Sequence, residues 1–329
     1  MRKFIVAAAA GFALLLGACN GNSLDEVVER LEENLEEASS YGAQGILTID
    51  QGGQRLEAEV EVSFAQPDFY RISLRPAGTD SEEIILKNQD GIFVLKPVQG
   101  KLLEFQSWPS SQIYLYQSLL ADISLNEDSK MTREGGAYVF SRTVEAPSGT
   151  VDSQIRFCQE RLIPLSATAT STHGEALVEM SFTGFEFDVP FEASHFDTEN
   201  VIRESISEWS QSVLSIPRLA NSSFFPAALP DGVDLVDQSV IPLPDGERII
   251  MTFGGESEFT LIQETRQRDS WLNIPVSGEL IFIEGTVGSL RDNSLTWTEG
   301  GIEFSIFSNT LDAEELIAVA SSVRSLPEK

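Results

Sequence analysis

Residues 56 to 64 read Leu-Glu-Ala-Glu-Val-Glu-Val-Ser-Phe. Alternation with a period of two places Leu56, Ala58, Val60, Val62 and Phe64 on one side of an extended chain and Glu57, Glu59 and Glu61 on the other. A helix would scatter both sets around its axis. The pattern therefore demands an antiparallel sheet with one covered face and one wet face. The same signature recurs at 45–50, 69–75, 82–88, 92–97 and 101–108, and again at 136–144, 153–160, 165–172 and 175–188. Gly-Gly, Pro-Asp, Asp-Gly and Gln-Gly breaks separate the early runs, and His173-Gly174 reads as a hairpin turn. A meandering sheet of this kind needs a cover, and two segments have helical spacing. Ser23 and Glu26 form a capping box ahead of Leu24, Val27, Val28, Leu31 and Leu35. In the stretch 110–123, Ile113, Tyr116, Leu119, Leu120 and Ile123 recur at helical intervals.

The pattern weakens between 197 and 225, where Pro217 and a run of Asn and Ser follow a segment with helical character over 199–213. Residues 199–223 read as a linker. A second run of strand-like segments fills 224–310, with "GELIFIEGTVGSL" (278–290) as one of them, and 311–323 forms an amphipathic helix that Asp312 and Glu315 open. The expected fold class is α+β. An N-terminal incomplete antiparallel β-barrel with covering helices occupies 19–198, and a small β-rich module ending in a helix occupies 224–329.

Residues 1–18 have the three parts of an export signal. Arg2 and Lys3 are the basic start, Phe4 to Gly17 is uncharged and mostly apolar, and Gly17 and Ala18 are small residues at the expected cleavage point. The apolar run is shorter than a membrane-spanning helix of about 20 residues. Leu16-Gly17-Ala18-Cys19 fits the lipobox of bacterial lipoproteins. That resemblance implies cleavage between Ala18 and Cys19, a diacylglyceryl group on the Cys19 thiol, and a stable anchor on the extracytoplasmic face of the cell membrane. With Cys19 acylated, Cys158 has no partner for a disulfide and reads as a small buried hydrophobe.

The chain carries 51 acidic against 22 basic residues, a net charge of −29. Such a surface repels nucleic acid and anionic lipid head groups, so the membrane contact is expected through the lipid and no nucleic acid partner is expected. His173 and His195 lack acidic, Cys or His neighbours at metal-ligand spacing. No Gly-x-Ser-x-Gly, Walker loop or dinucleotide fingerprint occurs. Neither metal, cofactor nor catalytic residue is expected, and the chain does not read as an enzyme.

The strings "PDFYRISLR" (67–75), "IILKNQDGIFVLKP" (84–97), "FQSWPSSQIYLYQSLLADI" (105–123) and "CQERLIPLSATATSTHGEALVEMSFTGFEF" (158–187) resemble the LolA-like lipoproteins of endospore-forming bacteria. These are the YdcC-type sporulation and germination group, related to the MucB/RseB N-terminal domain. The resemblance implies a curved half-pipe whose concave side is plugged by helices, and a role in envelope or sporulation physiology. It also implies a lipid or lipidated ligand in the concavity, with Phe64, Phe69, Ile113, Leu115, Leu119 and Leu120 as its candidate lining. The same apolar residues suit an ordinary core under the helices, which is the favoured reading because a core must exist and a pocket need not. The alternative function is a non-enzymatic scaffold or regulator that binds an envelope protein, of amidase or anti-sigma type.

Overall fold

The computed structural model describes residues 23–51, 54–79, 82–97, 100–108, 112–124, 128–146, 149–171, 176–212, 224–243, 246–266, 272–276, 278–283, 286–299 and 301–325. Cys19, Ala18 and the His173-Gly174 turn lie outside them.

Helix α1 (Leu24–Glu37) starts where its capping box predicts. The Glu26 amide donates to Ser23 Oγ at 3.3 Å, and the Ser23 amide donates to Glu26 Oε2 at 2.9 Å. The chain then runs through β1 (Ser40–Gln51), β2 (Gln54–Ala65), β3 (Phe69–Pro76), β4 (Glu83–Asn88), β5 (Gly91–Lys96) and β6 (Lys101–Phe105). Helix α2 (Tyr116–Ser124) follows. After it come β7 (Lys130–Glu134), β8 (Ala137–Ala146), β9 (Gly149–Cys158), β10 (Pro164–Ser171) and β11 (Ala176–Phe187). Each strand pairs antiparallel with its sequence neighbour within these two runs, and β11 returns to pair with β1, giving the order β6-β5-β4-β3-β2-β1-β11-β10-β9-β8-β7. The sheet stays open, as expected of an incomplete barrel, since among the described residues β7 has no partner beyond β8.

Helices α1 and α2 cover the concave face. Val27, Val28 and Leu31 of the first and Tyr116, Leu119, Leu120 and Ile123 of the second are buried in one cluster with the inward side chains of the strands. Each such aliphatic side chain contributes roughly 1.5–3 kcal/mol. The other face is wet over β2, where Glu57, Glu59 and Glu61 are exposed. It is not wet over β4 and β5. There helix α3 (Thr198–Ser212) docks Val201 and Ile202 against Ile84, Leu86, Phe93, Leu95 and Leu102, while Ile85 and Val94 face the concave core. Burial on both faces explains why these two strands read as continuous apolar runs, "IIL" and "IFVL", instead of alternating. The start of the stretch expected to be linker is thus packed on the first sheet.

A second sheet has the order β13 (Val233–Leu243), β14 (Gly246–Gly255), β15 (Phe259–Arg266), β20 (Ile302–Ser308), β19 (Ser294–Glu299), β18 (Thr286–Arg291) and β17 (Glu279–Ile283). The run 278–290, expected as one strand, is the β17–β18 hairpin. Helix α4 (Ala313–Ser321) packs Leu316, Val319 and Ala320 onto this sheet behind the Asp312–Glu315 capping box. The short pair β12 (Phe224–Pro226) and β21 (Val323–Ser325) ties the two ends of this part together.

The two sheets are not independent. Strand β16 (Leu272–Val276), which the alternation did not reveal, leaves the second sheet and adds in parallel to the outer edge of β6. An exposed edge invites unwanted strand pairing, and β16 closes this one. Val276, Leu280 and Val287 enter the concave core of the first sheet. Next to them lies a buried ion pair. Lys96 Nζ donates to Glu83 Oε1 at 2.7 Å, to the Val287 carbonyl at 2.7 Å and to Thr286 Oγ1 at 3.1 Å, while the Val287 amide donates to Glu83 Oε2 at 2.6 Å.

Candidate functional site

Alternate residues of a strand share a face, so a row of aromatic residues at inward positions of neighbouring strands becomes a continuous surface. The concave face carries such a row, completed by Tyr116 of α2 and by Trp108 in the segment after β6. From the β4 side it runs Trp108, Tyr70, Phe64, Tyr41, Phe185, Tyr116, Phe157 and Phe140. Successive ring centroids are 5.0, 5.0, 5.0, 5.1, 5.5, 5.5 and 6.1 Å apart. At one end, the Lys87 ammonium sits 4.9 Å from the Trp108 ring centroid and 2.6 Å from Asp68 Oδ2. At the other, Arg142 of β8 pairs with Asp122 of α2.

Two of the three hydroxyls in the row bond inward. Tyr41 donates to Gln117 Oε1 at 2.7 Å, and Tyr116 donates to the Leu162 carbonyl at 2.9 Å. Burial pushes the Tyr41, Tyr70 and Tyr116 hydroxyls, and that of neighbouring Tyr114, well above the ordinary tyrosine range. They remain protonated donors at neutral pH and supply no base. The covering helices are also tied down. Ser124 donates to Glu32 Oε1 at 3.0 Å between α2 and α1, and Gln66 Nε2 donates to the carbonyls of Glu36 and Ala38 at 3.1 and 3.0 Å.

Of the six candidate lining residues, the structure brings five to this face. Phe64, Leu115, Leu119 and Leu120 are core residues with 5% exposure or less, and half-buried Ile113 packs against them. Ile113 and Leu115 lie in the turn before α2, where the Leu115 amide donates to the Gln112 carbonyl, because the helix starts later than its spacing suggested. Phe69 is on the opposite face. Its neighbour Tyr70 points inward against Phe64, so Phe69 turns out and meets Phe196 with ring centroids 6.0 Å apart. The inward positions that sequence reasoning passed over are Tyr41, Tyr70, Trp108, Phe157 and Phe185, while Tyr116 was read only as part of the covering helix. The alternation contained that signal, two residues at a time.

His195 has a structural setting. Its ring stacks on Phe191 at 4.8 Å, and Nε2 shares a 2.9 Å hydrogen bond with Ser63 Oγ. Burial, with help from the Arg71 charge, holds its pKa below the ordinary value, against the opposing pull of Glu204. Cys158 is half-buried against the concave core. Away from the concave face, two recesses open on the surface. One of about 710 Å³ lies over β7–β10 and is lined by polar residues such as Lys130, Asp152 and Thr168. Another of about 410 Å³ lies beside α4 and is lined by Asp231, Glu256 and Glu315 among others.

No family model matches the chain. It is similar to the sporulation protein YdcC of Bacillus subtilis (strain 168), with 33% identity over 322 residues, covering 96% of this chain and 95% of that protein. Among solved structures, the complex of Pseudomonas aeruginosa MucA and MucB matches over 93% of this chain and 99% of that one, with 12% identity and a TM-score of 0.34. A LolA-superfamily protein from Nitrosomonas europaea matches over 54% and 99%, with 11% identity and a TM-score of 0.30. The Clostridioides difficile CwlD amidase in complex with the GerS lipoprotein matches over 52% and 98%, with 10% identity and a TM-score of 0.20. Superpositions at these TM-scores carry no argument about function.

Proposed function

This chain belongs to the family of the sporulation protein YdcC, and from that premise we propose that it is a non-enzymatic binding protein of the sporulating cell envelope. In this reading it is held on the extracytoplasmic face of the membrane by a diacylglyceryl group on Cys19 and engages an envelope protein. The observation that carries the choice of partner is the closed state of the concave face. Phe64, Leu115, Leu119 and Leu120 are packed as core, and the Tyr41 and Tyr116 hydroxyls beside them are bonded inward. Recognition therefore falls to outer surfaces. Helix α1 begins at Leu24, five residues after Cys19, which leaves a short tether and suits a stationary partner better than a diffusing carrier. In-cell crosslinking of the full chain during sporulation tests this. One envelope protein recovered reproducibly, and lost when Cys19→Ser releases the chain from the membrane, is the expected result. A crosslinking pattern with no consistent partner would sink the proposal.

A second reading, an acyl chain held beneath the helices, is favoured by one feature. The sheet is open and α1 and α2 cover much of its concave face, so displacing the two helices exposes an apolar trough without breaking a strand ladder. Native mass spectrometry of the Cys19→Ser chain separates the readings. A bound lipid of defined mass supports this one, and a bare polypeptide mass removes it.

A further inference from the structure

Among the described residues, strand β13 is the outer strand of the second sheet and pairs only with β14. Its residues 234–242 are all exposed, with Val236 at 69%, Val240 at 56% and Ile241 at 40%. A long apolar edge with free main-chain donors and acceptors is a template for another strand, and folded proteins ordinarily cover one. This molecule does so in its first sheet, where β16 lies along β6. It leaves β13 open.

The composition of the edge selects what lies on it. A second copy is a poor occupant. Each chain carries a net charge of −29, and self-pairing would bring Asp234 and Asp237 of two copies together. The charge favours an opposite partner. Beside the start of β13 lies the recess of about 410 Å³ lined by Asp231, Glu256 and Glu315, with Leu229 and Val319 as its apolar wall. Glu315 is engaged in the helix cap, while Asp231, Asp234, Asp237 and Glu256 have no ion-pair partner among the described residues.

We propose that β13 is a docking edge for an extended, lysine- or arginine-bearing segment of a partner protein, which joins the sheet as an added strand and places a basic side chain in the acidic recess. Main-chain bonds would supply the affinity, and the alternation of apolar and basic side chains the specificity. The inference rests on the protein-partner reading above and names the chemistry of that partner. Its test is a binding assay with defined peptides, so it can fail while in-cell crosslinking still recovers a partner docked elsewhere.

The probe is a labelled peptide of about nine residues alternating Val and Lys, long enough to span the exposed edge, titrated by fluorescence polarisation with the full chain carrying Cys19→Ser. Two further peptides are compared: one with Glu for Lys, and one Val/Lys peptide N-methylated at alternate residues, which keeps its charge but cannot complete a ladder. The Val/Lys peptide is expected to bind, and N-methylation is expected to weaken it by about tenfold or more. Val240→Lys, at an exposed position, is expected to weaken it similarly while leaving the urea unfolding midpoint unchanged. Equal binding of the N-methylated peptide overturns strand addition, because charge alone then accounts for the affinity. Equal binding of the Glu peptide overturns the basic partner. Light scattering that finds a dimer, dissociated by Val240→Lys, overturns the proposal in favour of a second copy.

Discussion

Replacing Glu83 by Ala strands a buried cation at the junction of the two sheets. The Glu83 and Lys96 side chains are 7% and 1% exposed, and they extend the β4–β5 register by one step beyond the Ile84–Leu95 pair. In the native protein the ammonium has three acceptors and the carboxylate takes the Val287 amide, the Lys96 ammonium and the Thr286 hydroxyl. Glu83→Ala leaves the ammonium with two neutral oxygens and the Val287 amide with no acceptor. Removing one partner of a buried, hydrogen-bonded pair costs about 3–5 kcal/mol, because the remaining charge is neither paired nor solvated. In a chain of this length, where 1 kcal/mol moves the melting temperature by about 2–4 °C, the loss is on the order of 10 °C. Glu83→Leu with Lys96→Met together should recover a large part of it, since an apolar pair leaves no charge behind. Urea unfolding followed by tryptophan fluorescence measures all four corners of the cycle. Because the pair bridges the sheets, Glu83→Ala should also separate the signal of Trp297, buried in the second sheet, from that of Trp108 at the rim of the first. A loss below about 1 kcal/mol, or effects that simply add across the cycle, would refute the reasoning. It would mean that water reaches the pair and that the sheets are held by apolar contact alone.

Cys19→Ser should abolish metabolic labelling with palmitate and move the chain out of the membrane fraction; persistence of both would show that the anchor lies elsewhere. His195 is held neutral in the folded state, so the unfolded chain takes up its proton first as the pH falls. Stability should drop between the ordinary histidine value of 6.5 and the lower folded value, then level off. His195→Gln should flatten that part of the stability–pH curve, and an unchanged slope would exclude His195 as its source. Gly45 marks a bulge against β11, where an added Cβ would lie 2.3 Å from the Ser181 carbonyl oxygen and 2.5 Å from Met180 Cε. Gly45→Ala should cost about 1–3 kcal/mol or more, and a neutral result in urea unfolding would show that the bulge relaxes freely.

Much of this protein was legible before folding. Alternation located ten strands of the first sheet, since a strand's two faces are written in neighbouring residues. Both capping boxes were equally plain, because Ser23 with Glu26, and Asp312 with Glu315, lie three residues apart. The candidate site was legible only in part. Phe64 and Phe69 look alike in sequence, yet one faces the helices and the other Phe196. The local pattern records which side chains share a face within one strand. Across a turn, the phase is set by the pairing register, which here places Tyr70 rather than Phe69 opposite Phe64.

What the sequence determined alone was local: strands of period two, helices of period 3.6, their caps and the acidic balance of the chain. Tertiary structure decided everything that depends on residues meeting across long separations. It brought β11 back to β1, sent β16 to the far edge of the first sheet, buried Glu83 and Lys96 against Thr286 and Val287, and, among the described residues, left β13 uncovered. Glu83 and Lys96 end their strands with the charged residues that usually mark a solvated boundary, so nothing nearby signals their burial. The surroundings that bury them lie some 190 to 200 residues further along the chain. Burial belongs to the pair of surfaces that meet, and one surface alone does not encode its partner.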